Sequence, residues 1–169
     1  MFFVALMLVL SLIAYLLAKL FPHDSPLFDA LGTKRNALRA GLSLAFLFIG
    51  IDHLLTPDRY ELMMPTWVPY PAQTIFLTGL CEIAGALGLW LKPTRWLAGL
   101  SFALYAVAVS PANIQNWVNA TQGILVEGLP TDPSYYLLRL AFQPVIILCA
   151  LYAGTVWPTL KPTQNLTFS

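Results

Sequence analysis

Charge is scarce in this sequence. Asp, Glu, Lys and Arg make up only 10% of its 169 residues, nine basic against eight acidic, while the apolar classes reach 58%. A soluble domain carries roughly 25% charged and 45–50% apolar residues. So few charged side chains cannot cover the surface that a globule of this size leaves exposed. An ordinary cytosolic enzyme is therefore excluded, and so is a disordered segment. The net charge of +1 offers a polyanion no basic field, so nucleic-acid binding is excluded as well. Two cysteines are too few for a disulfide scaffold. There is also no P-loop, dinucleotide fingerprint, CxxC pair or serine-hydrolase elbow.

What the chain has instead is long apolar runs. A hydrocarbon core roughly 30 Å thick needs about 20 apolar residues in a helix, and five stretches are of that kind: 2–21, 37–55, 73–91, 95–113 and 135–157. None alternates with a period of two, and open sheet edges are forbidden in lipid, so the spans are read as helices. The first run has no basic segment before it and no small-x-small cleavage site in the following LAKLFPHDSP. It is read as a retained span rather than a secretory signal. The expected fold is all-α, a polytopic transmembrane bundle. Residues 1–36 form an N-terminal transmembrane helix and linker, 37–157 a four-helix bundle, and 158–169 a tail.

Basic residues set the orientation. Lys19, Lys34, Arg35, Arg39, Lys92, Arg95 and Lys161 fall on one side, and only Arg59 and Arg139 on the other. The expectation is a multi-pass protein of the cell inner membrane, with the N-terminus outside and the tail in the cytoplasm. Asp58, Glu61, Glu127 and Asp132 then lie on the outer side. Segment 56–72 holds Pro57, Pro65, Pro69 and Pro71 around Trp67 and Tyr70, so it cannot be one regular helix. It suits an interfacial or re-entrant loop over the outer end.

Ionisable groups at membrane depth cost about 2.5–3.5 kcal/mol or more and call for a partner, a cavity or a function. Asp52, His53, Glu82 and Arg139 are such groups, with Asn113 and Gln143 as nearby amides. At a rise of 1.5 Å per residue, Asp52, His53 and Arg139 lie roughly 5 Å inside the outer end and Glu82 roughly 14 Å. All six residues converge on the outer half. Gly79, Glu82 and Gly85 share one helix face, and small residues allow close helix approach. Glu82 and Arg139 are expected to compensate each other, directly or through Gln143 or water, and Arg139 could also reach Asp52. Pro111 and Pro144 each free a carbonyl, for which Asn113 and Gln143 are local repairs. His23 and His53 lie on opposite sides and cannot share a metal or haem. Cys81 and Cys149 differ in depth and are read as packing residues. The tryptophans are read as interfacial anchors.

Several of these pieces occur together in a known order. GIDHLLTPDRY (50–60), MPTWVP (64–69), GLCEIAGALGLWL (79–91), PTR (93–95), VSPAN (109–113) and LRLAFQP (138–144) resemble the DoxX-like family of small bacterial membrane proteins. The resemblance covers the four-helix unit, with the first helix as an extension. It implies that His53, Glu82, Asn113, Arg139 and Gln143 occupy the family's polar positions; Asp52 departs from the residue expected beside the histidine. It also implies association with membrane redox systems that are sulfur- or quinone-linked.

Three functions follow as expectations. The first is a subunit with an outward-facing polar pocket for a quinone or lipid ligand, beside a membrane or periplasmic redox partner and with no intrinsic cofactor or metal. The second is a small transporter or proton-coupled channel. The third is a membrane oxidoreductase in which Glu82 and His53 transfer protons. No catalytic residue is assigned.

Overall fold

The computed structural model describes residues 2–21, 31–124 and 128–158. His23, Glu127, Lys161 and most of the 22–36 linker and 158–169 tail lie outside the described residues. Those described form helices α1 (Phe2–Leu20), α2 (Lys34–Leu55), α3 (Pro57–Glu61), α4 (Pro71–Gly88), α5 (Arg95–Ala108), α6 (Ser110–Thr121) and α7 (Pro133–Ala153), with no strand among them.

Local chemistry sets the helix ends. The Thr33 hydroxyl accepts from the Asn36 amide and starts α2 three residues before the expected Ala37. At the far end, Thr56 donates both its amide and its hydroxyl to the Asp52 carbonyl, and Pro57 begins α3. Asp132 caps α7 ahead of Pro133; the Ser134 hydroxyl and amide hold its carboxyl below the ordinary value. The expected fourth span breaks at Val109, because Pro111 cannot donate into the helix, and then continues to Thr121. It is thus longer than 95–113.

α2, α4, the α5–α6 pair and α7 close a four-membered ring, and α1 packs against the outside of α2. α1 is no loose appendage, since Val4 and Met7 join the main core. Phe46 of α2 stacks on Phe102 of α5 at 3.7 Å between centroids, at the middle of that core. The outer faces expose Leu12, Leu16, Phe48, Leu77, Leu104 and Leu148, which suit acyl chains.

Among the described residues four helices are long and apolar enough to cross a membrane: α1, α2, the 95–121 run and α7. The chain is an all-α membrane bundle. Five spans were expected, and α4 is the one that does not qualify. It has 18 residues and carries Gln73, Thr74, Thr78 and Glu82. It nevertheless stands inside the ring, against α2 and α5.

The α2–α4 seam is a backbone contact. A Cβ on Gly50 would lie 2.8 Å from the Gly79 carbonyl oxygen, and one on Gly79 would lie 2.9 Å from that of Gly50. Only two glycines let these helices touch so closely. Gly79→Val should lower stability in detergent by about 2 kcal/mol or more, because the obstruction is backbone and cannot rotate away. Gly88→Ala, whose Cβ would meet the Ala98 methyl at 3.3 Å, should cost far less. Thermal unfolding of both variants checks this, and equal midpoints would mean that the seam is not there.

Candidate functional site

α2 and α4 run antiparallel, so His53 stands beside Gly79 and Glu82 beside Gly50, and the two side chains meet across the glycine contact. His53 Nδ1 lies 2.8 Å from Glu82 Oε2, and the two residues are only 6% and 3% exposed. The approach is close without the alignment of a regular hydrogen bond, and neither atom has a hydrogen-bond partner elsewhere among the described residues, so each is the other's compensation in a buried place. Tyr105 of α5, the next helix in the ring, lies near the same carboxylate.

The chain reversal after α2 closes the site from above. α3 folds Tyr60 back over His53, ring edge to ring face, at 3.9 Å between centroids. The Tyr60 hydroxyl donates to Asp52 Oδ2 at 2.5 Å, and the Thr56 hydroxyl donates to Oδ1 at 3.0 Å. Arg59 Nη1 lies 3.3 Å from Oδ2 but is largely exposed, so that ion pair contributes little. Burial, together with the Asp52 carboxylate beside it, pushes the Tyr60 hydroxyl well above the ordinary tyrosine value of 10.

The other expected residues stand nearby without joining the pair. Ser110, at the α5–α6 break, donates to the Ala106 carbonyl and to Gln143 Oε1. The Ser110 hydroxyl thus reaches back one turn beside the break and across to α7. Asn113 is buried in the first turns of α6. Half-buried Arg139 donates from Nη1 to the Met63 thioether at 3.3 Å, and its guanidinium lies 5.8 Å from the Tyr135 ring centre.

The expected Glu82–Arg139 pair is therefore not formed, and Arg139 does not reach Asp52. The reason is the ring order: α4 and α7 stand diagonally, whereas α2 is the direct neighbour of α4. The pair itself is shielded. Tyr60 covers His53, and neither described cavity includes His53 or Glu82. One, of about 10 Å³, lies among Asn116, Asn119, Pro130 and Tyr136; the other is an apolar hollow at Ala72, Gln73, Phe76 and Leu77.

Tyr60, Tyr105 and Met63 were not foreseen. Two of them carried a signal: Tyr60 ends the GIDHLLTPDRY stretch, and Tyr105 places a hydroxyl in an apolar span. The two cysteines are free, and no set of three His, Cys, Asp or Glu residues could hold a metal ion among the described residues.

Residues 42–153 match a family model described as a domain of unknown function, DUF8561. The chain belongs to that family. The match takes in α3 to α7 and the part of α2 from Leu42 on, hence His53, Glu82, Tyr105 and Arg139, while α1 lies outside it. No curated protein and no solved structure is significantly similar to the chain.

Two measurements test this geometry. In a double-mutant cycle, His53→Leu and Glu82→Leu should each cost about 3–5 kcal/mol by leaving a buried polar partner alone. The double variant should fall short of their sum by about 1–3 kcal/mol, whereas Glu82 and Arg139 should be additive within about 0.5. The second measurement concerns Tyr60. Its folded-state value is raised, so its contribution is complete below about pH 10 and is lost as pH rises through the folded value. The alkaline loss of stability should therefore be shallower in Tyr60→Phe than in the wild type, as measured by melting against pH.

Proposed function

We propose that this protein is a DoxX-like accessory subunit of a membrane redox system in the bacterial inner membrane. In this reading a small membrane-borne redox molecule, quinone-like in its head, docks at the rim under the 56–70 segment. The His53–Glu82 pair exchanges a proton with it, and a partner protein handles the electrons. The observation that carries the reading is the 2.8 Å contact between two side chains almost wholly removed from solvent.

The chemistry of that contact suits proton storage. With Nδ1 facing Oε2, a neutral imidazole already satisfies the carboxylate, and an incoming proton can settle on Nε2 without breaking the contact. Glu82 then faces an imidazolium, so the added charge is compensated where the dielectric is low. Tyr60 and Tyr105 add two hydroxyls that can donate and accept. A bound quinol oxidised to the quinone gives up two protons with its two electrons, and each proton needs such an acceptor. Proton exchange thus combines the accessory reading with the proton-transfer alternative.

The arrangement of charge supports the sidedness. Arg35, Arg39 and Arg95 gather at one end, beside the C-terminal ends of α7 and α4, and Arg59 and Arg139 at the other. By the basic-residue rule the first end faces the cytoplasm and the rim faces outward, with the N-terminus outside.

Infrared difference spectra of the protein in nanodiscs, recorded on binding of a reduced against an oxidised quinone, test the proposal. The wild type should show a carboxyl band that depends on the ligand's redox state, and Glu82→Gln should lack it while remaining folded. Identical spectra for the two proteins, or no quinone binding at all, would overturn the reading.

A further inference from the structure

Arg139 stands out among the arginines. Arg39 gives Nε and Nη2 to the Ala153 carbonyl at 3.0 and 2.8 Å and reaches Asn36 Oδ1 with Nη1. Arg95 gives Nε and Nη2 to the Leu89 and Trp90 carbonyls. Arg35 donates to the Pro158 carbonyl and lies over the Tyr152 ring at 4.3 Å. Arg59 has Asp52.

Arg139 alone of these five has no oxygen acceptor among the described residues. It has one thioether and one ring, and a thioether is a weak acceptor without charge. Yet Arg139 lies in the second turn of α7, a helix long and apolar enough to cross a membrane. A guanidinium in that position calls for a counter-charge. Glu82, diagonal to it in the ring, is already engaged with His53.

We infer that Arg139 is an oxyanion-binding site, and that its ligand is a phosphate, sulfonate or carboxylate head that displaces Met63. The planar fork of the guanidinium fits two oxygens of such a group, while the thioether occupies only Nη1. The anchor for Met63 is separate from Arg139, since the Asn116 amide donates to the Met63 carbonyl at 2.8 Å. Its side chain can swing aside while the backbone stays in place. Met63 belongs to the segment whose Tyr60 covers His53, so an anionic head on Arg139 would share that rim with the proton-holding pair. The inference rests on the reading of this rim as the ligand-facing one, and it names the charge of the head received there.

The full chain in a neutral maltoside detergent, titrated separately with inorganic sulfate and with phosphatidylglycerol, provides the test. At a hundredfold excess over the dissociation constant, a true ligand should raise the wild-type melting midpoint by roughly 5–10 °C. Arg139→Gln should lose the shift, and Arg139→Lys should keep part of it. A shift with both probes identifies a general oxyanion site, and a shift with the phospholipid alone identifies a headgroup site. No shift with either probe, or an equal shift in Arg139→Gln, would overturn the inference. Met63→Leu keeps the fold and removes the competing thioether, so it should bind at least about threefold more tightly; unchanged affinity would also overturn it. Glu82→Gln should retain the shift, which separates failure of the anion site from failure of the proton reading.

Discussion

The site depends on the two glycines that it flanks. Gly50 and Gly79 let the antiparallel backbones of α2 and α4 touch, which brings His53, beside Gly79, within 2.8 Å of Glu82, beside Gly50. A buried pair of this kind is costly to assemble and more costly to break, because desolvation is recovered only through the partner. The pair and the seam therefore depend on each other. The seam excludes solvent and lipid from the pair, and the pair penalises any sliding of α2 along α4. A shift of one helical position would turn one side chain away and strand the other.

The two ends of the bundle use arginine differently. At the end where α4 and α7 terminate, Arg95 and Arg39 donate to carbonyls that have no partner within their helices. Those cations also meet the negative ends of the helix dipoles. Their role is architectural, and it leaves nothing for a ligand. At the opposite rim the side chains face one another and the connecting segment: Asp52 with Tyr60 and Thr56, His53 with Glu82, and Ser110 with Gln143. Acid, base, hydroxyl and amide groups lie there within a few side chains of each other.

The 56–70 segment ties this rim together. Tyr60 reaches α2 through Asp52, Asn116 of α6 holds the Met63 carbonyl, and Arg139 of α7 touches the Met63 sulfur. One short stretch, broken by prolines, thus spans three members of the ring. It covers His53 with an aromatic ring and closes the rim with side chains rather than regular backbone.

Solvent preference, the all-α architecture and the helical register of the apolar runs could be read without a structure, because each is a property of neighbouring residues and of the 3.6-residue turn. The set of polar residues gathered at one end was legible for the same reason: depth follows from counting along a helix. Their pairing was not. Glu82 and Arg139 looked complementary on charge, yet the order of helices around the ring puts them on a diagonal and gives Glu82 to His53. That order is decided by which faces fit most closely, here the glycine faces of α2 and α4. Tyr60 was out of reach of such counting too, since its place over His53 follows from a chain reversal at Pro57. Linear spacing determines how deep a group lies. Only packing between distant segments decides what it touches, because the contacts that satisfy a buried charge come from other helices.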